Sequence, residues 1–271
     1  MNRIKKKIRG GSFENLEHDF IPPHSRNLSR NILQILMALC LMGIIGSAGV
    51  LWLEDLNEQA AIESYAQIQM AVGVGTGTND ASTINTSDSL KQRNLAMISE
   101  SCPNAMGWIR VTGTNIDYPV AQGKDNAYYL KHLITGEPNK MGAIFLDHRN
   151  AGFTDRLSVI YGHHLKNGTM FSDLERFKDA DFFAQTPVIQ VQTKGDTFRF
   201  KAFAVLVLPG EGNDLLQRYH ELGEQSFMNW IWHDALLQAK GIWTPGDSII
   251  ALSTCSYEFD NARTVVFGTP E

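Results

Sequence analysis

The stretch LSTCSYEFDNARTVV, residues 252–266, joins the ends of two apolar runs through a polar segment. The first run, SIIAL at 248–252, leads into Cys255, and the second, TVVF at 264–267, directly follows Arg263. Short apolar runs bounded by polar residues are typical of buried β-strands. We therefore predict two strands that carry a thiol and a guanidinium at their adjoining ends.

A histidine pair lies well upstream of this stretch, in the string Tyr161-Gly162-His163-His164. A nearby cation lowers the pKa of a thiol and raises its nucleophilic fraction, and a guanidinium can hold a developing oxyanion. Cys255, His163 and Arg263 are thus candidates for cysteine-nucleophile acyl transfer. His164, on the alternate face of its strand, is predicted to be a bystander.

Spacing alone leaves other interpretations of these three residues open. Cys255 can be an inert core thiol, since free cysteines are among the most buried residues. Arg263 can pair with Glu258 or Asp260 at the surface. Two further interpretations are a disulfide between Cys102 and Cys255 and a His/Cys metal site, but no disulfide framework or metal-ligand spacing supports them, and we predict neither.

The remaining strand candidates share short length and apolar or β-branched composition. Together with the two strands above they make eight, which predicts a mainly β fold with a closed or nearly closed barrel. The candidates are 108–111, 116–120, 142–146, 157–161, 188–193, 197–208, 248–254 and 263–267. Short helices are predicted at 126–132 and 170–177, and a longer inserted helix at 221–238, before the cysteine strand.

Residues 32–53, ILQILMALCLMGIIGSAGVLWL, contain no charged side chain and are long enough to cross a bilayer as a helix. Residues 1–31 hold seven Lys and Arg against three Asp and Glu, whereas acidic residues follow the apolar segment. The positive-inside rule therefore predicts a cytoplasmic basic tail at 1–31, an uncleaved transmembrane helix at 32–53 and an extracellular remainder. A cleaved signal peptide is the rival interpretation, but its apolar region would be shorter.

The rest of the chain divides by composition. Residues 54–88 are predicted to form a helical stalk, up to about residue 72, and then a flexible linker rich in Gly, Thr, Asn and Ser. Residues 89–271 form the predicted catalytic domain, which opens with an N-terminal helix at about 90–100 behind a capping-box pattern. Since the tail contributes a charge of +4 to the total of −5, residues 54–271 carry −9, and nucleic acid is not an expected partner.

Four strings of this chain resemble sortases. LSTCSYEFDNARTVV is similar to their cysteine-to-arginine signature, and YGHHLKNGTMFSDLERF (161–177) to their histidine motif. GWIRVTGTNIDYPVAQGKDNAYYLKH (107–132) and GAIFLDHRN (142–150) resemble the class B branch, as does the inserted helix. The resemblance covers roughly residues 104–269. Two departures are Ala251 in place of the opening Thr of the signature, and a gap between Cys255 and Arg263 shorter than in several class B members.

The resemblance implies a sortase-type barrel and a transpeptidase in which His163 is the catalytic histidine, Cys255 the nucleophile and Arg263 the oxyanion clamp. Asn126, Leu130, Tyr161 and Ser253 would line the substrate groove. An Asp147–His148 pair would be structural rather than a charge relay, and neither a metal nor another cofactor is expected.

The implied reaction cleaves a C-terminal sorting signal of a secreted protein at Thr, forms a thioester and passes the protein to an amine of a peptidoglycan precursor. The expected location is the cell membrane, with a single pass and an extracellular catalytic domain. Alternatives are a pilin-polymerising sortase, a hydrolytic cysteine peptidase, and a non-catalytic membrane-tethered binding module.

Overall fold

The computed structural model describes residues 23–72, 95, 102–256 and 258–271. The chain divides into two compact units, Met1–Glu54 and Asp55–Glu271. The predicted linker after residue 72, most of the predicted helix at 90–100 and most of the basic tail lie outside the described residues.

Helix α1 is Pro23–Ala71 and contains the whole predicted apolar segment. Its 49 residues span about 74 Å at 1.5 Å per residue, so it is longer than the roughly 30 Å hydrocarbon core of a bilayer. Large apolar side chains from Ile32 to Leu53 are exposed, and among the described residues this is the one helix long and apolar enough to cross a membrane.

The C-terminal part of α1 belongs to the second unit. Ala61, Tyr65, Ile68 and Val72 are buried there in the same core as the strands. Their spacing puts them on one face of the helix. The helical part of the predicted stalk is therefore packed within the second unit and does not stand free of it.

The described part of the chain forms one sheet of nine strands. They are β1 Ala105–Val111, β2 Asp117–Gln122, β3 Ile144–Leu146, β4 Leu157–Tyr161, β5 Val188–Gln192, β6 Thr197–Pro209, β7 Leu237–Gln238, β8 Ile249–Ser256 and β9 Ala262–Pro270. Their order in the sheet is β5-β1-β2-β3-β4-β8-β9-β6-β7, and pairing of β5 with β6 closes eight of them into a barrel. The predicted eight-stranded barrel is confirmed, and the two-residue β7 on the edge of β6 is an addition.

The predicted short helices are present as 3-10 helices at Tyr128–Leu130 and Ser172–Lys178, and an unpredicted helix α2 is Ala180–Ala184. The inserted helix is present as two helices, α3 at Leu215–Leu222 and α4 at Glu224–Asp234. Gly223, with a φ of 74°, lies between them and its N–H binds the carbonyl of Tyr219. This left-handed residue ends α3, so the single helix predicted at 221–238 is divided and begins earlier.

Neighbouring residues of β4, β8 and β9 face two different cores. Ile160, Leu252 and Val266 belong to the barrel interior, whereas their neighbours Val159, Ala251 and Phe267 pack with α3 and α4. Both faces of these strands are buried, which explains their nearly continuous apolar sequences. The same packing fixes β4, β8 and β9 side by side, with the histidine, cysteine and arginine at their ends.

Candidate active site

Cys255 and Arg263 are directly opposite each other in the antiparallel ladder of β8 and β9. The Cβ atoms of such a pair lie about 4.5–5.5 Å apart and their side chains share a face of the sheet. The thiol is partly exposed, as is Arg263. The short gap between the two residues therefore still places them as neighbours across the two strands.

His163 reaches the same area from β4, which is parallel to β8. Tyr161 pairs with Ser253, and the N–H of Gly162 donates to the carbonyl of Ser253 at 3.1 Å. His163 is two residues beyond Tyr161, and Cys255 is two residues beyond Ser253. This register places the segment just beyond β4, which carries His163, next to the end of β8 that carries Cys255.

The two histidines make different contacts. Nε2 of His163 lies 2.8 Å from the carbonyl oxygen of Leu130, which can only accept, so Nε2 carries the proton and Nδ1 is left to exchange one. Nδ1 of His164 lies 3.1 Å from the carbonyl oxygen of Cys255. His164 thus contacts the backbone of the cysteine strand, a role that the bystander prediction does not include.

The side chain of Arg263 makes no hydrogen bond or ion pair with any residue that the structure describes. Glu258, one of its alternative partners, is bound by Lys178. Burial opposes ionisation of Glu258, but hydrogen bonds, first among them the one from Lys178, together with the positive charge of Lys178 outweigh burial and lower the pKa of Glu258 to about 2. Asp260 has no ion pair within the same described residues. The guanidinium is therefore available to a ligand.

A cavity of about 720 Å³ opens beside this cluster. Four predicted groove residues, Asn126, Leu130, Tyr161 and Ser253, line it together with His163 and Arg263. Cys255 does not line it, although Ser253, two residues before Cys255, and Arg263, opposite Cys255 on β9, do. The opposite wall comes from α3 and the segment before it, with Asn213, Asp214, Gln217, Arg218, Glu221 and Leu222.

A family model described as a sortase domain matches residues 109–271, more than half of the chain. This chain belongs to the sortase family. It is 30% identical over 195 residues to a curated sortase B of Listeria monocytogenes, a match that covers 70% of this chain and 79% of the relative.

Solved structures agree with the family assignment and place it in class B. Sortase B of Clostridium perfringens matches with a TM-score of 0.57 and 31% identity, over 64% of this chain and 97% of that one. A class B sortase of Streptococcus pyogenes involved in pilus biogenesis matches with a TM-score of 0.60 and 29% identity, over 66% and 98%. The chain is thus a class B sortase, a cysteine transpeptidase.

A buried carboxylate, Asp147, organises the floor of this sortase's cavity. It is fully buried and accepts hydrogen bonds from Asn126 Nδ2 at 2.8 Å, from the Tyr161 hydroxyl at 3.1 Å and from Arg149 Nε at 2.9 Å. His148 Nδ1 is 3.5 Å away. Among the described residues no hydrogen bond joins Asp147 to His163. The carboxylate therefore holds groove side chains, which agrees with a structural role and not with a relay.

Arg149 extends this network to the opposite wall. Its Nη1 and Nη2 donate to the two carboxylate oxygens of Asp214 at 2.7 and 2.9 Å. Asp214 is also the N-cap of α3, where it accepts from the N–H of Gln217 at 3.0 Å. Burial opposes ionisation of both Asp147 and Asp214, but hydrogen bonds from Arg149 outweigh it and hold each pKa below its ordinary value. Arg149 thereby ties the barrel floor to the helix that forms the far wall.

The sequence offers only partial signals for these residues. Asp147 and Arg149 lie within the class B string GAIFLDHRN, and Asp214 precedes an apolar helical pattern as N-caps do. Their mutual contact joins positions 65 apart in the chain, and a single sequence carries no sign of it.

The other cysteine of the barrel unit differs sharply from Cys255. Cys102 is 1% exposed, and burial raises the pKa of its thiol to about 11. Neither Cys102 nor Cys255 forms a disulfide. Since the thiolate is the nucleophilic form, Cys102 is inert at neutral pH and Cys255 is the candidate nucleophile of this unit.

Proposed function

We propose that Cys255, His163 and Arg263 are the catalytic residues of this sortase, and that the adjoining cavity binds the sorting signal. The observation that carries the proposal is the direct cross-strand pairing of Cys255 with an unengaged Arg263, at strand ends that His163 also reaches. The four groove residues at the cavity support the location of the peptide.

The proposed reaction has two acyl-transfer steps. The thiolate of Cys255 attacks the carbonyl carbon of the Thr in the sorting signal, and Arg263 donates hydrogen bonds to the resulting oxyanion. The carbon–nitrogen bond breaks, protonated His163 gives its proton to the departing amine, and a thioester remains. An incoming amine then attacks the thioester, neutral His163 accepts its proton, and the thiolate leaves as the new amide forms.

The acceptor amine is proposed to belong to a peptidoglycan precursor, which gives wall anchoring. The pilus role stated for the Streptococcus pyogenes relative keeps a lysine side chain of a pilin subunit as the second candidate. The basic segment 1–31 and the apolar part of α1 support a tether with the N-terminus in the cytoplasm and the catalytic unit outside.

A peptide-library assay on the full chain in detergent micelles tests this function. Peptides with NPxTN-like and LPxTG-like motifs are supplied with a glycine-type amine, with a lysine side-chain amine or with no amine. The products are identified by mass spectrometry. A new amide bond after Thr supports transpeptidation, and the preferred amine separates wall anchoring from pilin polymerisation. Release of a free acid at equal yield in every arm would instead identify a hydrolytic peptidase.

His163→Ala is expected to remove most turnover, whereas His164→Ala is expected to retain it within a few-fold. A general acid or base contributes about 10²–10⁴-fold, and of the two histidines only His163 lines the cavity. His164 Nδ1 instead contacts the backbone carbonyl of Cys255. Peptide cleavage rates of the two variants, measured side by side, check this assignment. The opposite ranking would exchange their roles.

Asp214→Asn is expected to raise KM for the peptide about tenfold while kcat changes little. Asn caps a helix about as well as Asp, so the substitution keeps the cap of α3 but removes the charge that Arg149 holds, and the groove wall loosens. Asp179→Asn is the matched control, because Asp179 caps α2 through the N–H of Phe182 and does not line the cavity. Equal KM values in both variants would mean that the Arg149–Asp214 bridge does not shape the groove.

A further inference from the structure

The end of α1 is hydrogen-bonded to the rest of the second unit at several places. Gln69 Nε2 donates to the carbonyl of Asp117 at 2.7 Å, and Asn139 Nδ2 donates to the carbonyl of Asn57 at 3.1 Å. Asn167, four residues after His163, donates to Glu58 Oε1 at 2.6 Å. This part of the helix is therefore a component of the catalytic unit.

The central contact of that helix is the hydroxyl of Tyr65, whose side chain is 3% exposed. It donates to the carbonyl of Gly142 at 3.1 Å and accepts a longer bond from the N–H of Ile134 at 3.4 Å. Its ring packs edge-on against Tyr118, with centroids 5.7 Å apart. One buried hydroxyl thus joins both ends of the loop formed by residues 134–142.

Both ends of this loop lead to the imidazole of His163. On one side, Leu130, four residues before Ile134, supplies the carbonyl that lies 2.8 Å from His163 Nε2. On the other side, Gly142 packs against the ring. A Cβ added at Gly142 would lie only 2.9 Å from His163 Cδ2 and 2.6 Å from the carbonyl oxygen of Tyr129. The imidazole is therefore held between two segments that Tyr65 ties together.

We infer that Tyr65, on the helix that also carries the apolar segment, is a positioning residue for His163. The inference rests on the proposed catalytic role of His163. Tyr65 touches neither substrate nor the reacting atoms. It acts by fixing the backbone at positions 134 and 142, and so the direction in which the imidazole presents Nδ1.

The physical reason is geometric. Removing the hydroxyl leaves the buried carbonyl of Gly142 without this donor, and a buried group that loses its partner shifts or stays unsatisfied. A displacement of about 1 Å at a catalytic group can cost on the order of 10²-fold in rate, and a fraction of that shift is expected here. The effect should fall on proton transfer and not on peptide binding, because Tyr65 does not line the cavity.

Tyr65→Phe in the full chain, assayed in detergent micelles, tests the inference. The ring is kept and only the two hydrogen bonds are lost. We expect kcat to fall about tenfold with KM within twofold. Gln69→Met is the matched control, because it removes a hydrogen bond between the same helix and the barrel at Asp117, outside the loop of residues 134–142. It should leave kcat unchanged.

A second pair of variants approaches the imidazole from the other side. Gly142→Ala places a methyl group against His163 at a φ of 63°, whereas Gly168→Ala meets the same backbone strain, at a φ of 78°, with nothing within 4 Å. Only the first should reduce kcat, which keeps the inference testable even if Tyr65→Phe folds poorly.

Unchanged kcat in Tyr65→Phe, or an equal loss in Gln69→Met, would overturn the inference. His163→Ala in the same assay separates this failure from that of the proposed function. An inactive His163→Ala beside a normal Tyr65→Phe refutes only the positioning role. An active His163→Ala removes the catalytic role on which the inference depends.

Discussion

Cys255→Ala is expected to abolish peptide cleavage and thioester formation together. The sulfur forms the covalent bond of the proposed intermediate, and the methyl group of alanine has no nucleophilic atom to replace it. In protease triads, loss of the nucleophile costs on the order of 10⁶-fold in kcat. We therefore expect turnover of this variant at the level of the background reaction. Cleavage is measured with a fluorogenic sorting peptide, and the thioester by mass spectrometry of the acid-quenched protein.

Cys102→Ala is the matched control for this substitution. Cys102 is buried in the same unit, but its thiol has a pKa raised to about 11 by burial and it does not line the cavity. The control should retain turnover and form the thioester. Turnover that survives in Cys255→Ala would refute the proposed nucleophile, and a thioester on Cys102 would transfer the role to it.

The barrel could be predicted from the sequence because its strands are short, apolar and separated by turn residues. Strand β4 was predicted with the bounds that the structure has, and β8 and β9 differ only at their ends. The apolar segment 32–53 is equally clear, since length and absence of charge are local properties. Features that depend only on residues close together in the sequence can thus be predicted for this chain.

The contacts that shape the site join residues far apart in the sequence. The link from Arg149 to Asp214 and the packing of Tyr65 on Gly142 join residues 65 and 77 positions apart. No local pattern marks either pair, because each depends on how the sheet closes and where α1 packs. Gly223, which divides the inserted helix, is itself a local signal for a break. The sequence prediction nevertheless gives one continuous helix, because the helical pattern on both sides of the glycine is strong.

The cross-strand pairing of Arg263 with Cys255 could be predicted only in part. The resemblance to sortases named the residue, but the short gap after Cys255 left its distance from the sulfur open. The β8–β9 register shows that the short gap still places Cys255 directly opposite Arg263. Gly210 also makes room there, since a Cβ at that position would lie 3.0 Å from Arg263 Nε and 2.5 Å from Asn261 Oδ1.

Arg263→Lys is expected to reduce kcat about 10²–10³-fold, the range found when one oxyanion donor is removed. Lysine keeps the positive charge but replaces a planar fork of donors by a shorter-reaching point charge. If Arg263 stabilises the oxyanion, the loss should appear in kcat and in kcat/KM equally, because the interaction forms only in the transition state. Single-turnover measurement of thioester formation isolates the first step.

Arg199→Lys is the control for the chemical change itself. Arg199 binds Glu271 on the surface and does not line the cavity, so this variant should turn over normally. A rise in KM for Arg263→Lys with kcat preserved would show that the guanidinium binds the peptide without stabilising the oxyanion. Near-normal values of both constants would mean that Arg263 only packs, and the oxyanion would then need a different donor at the end of β8.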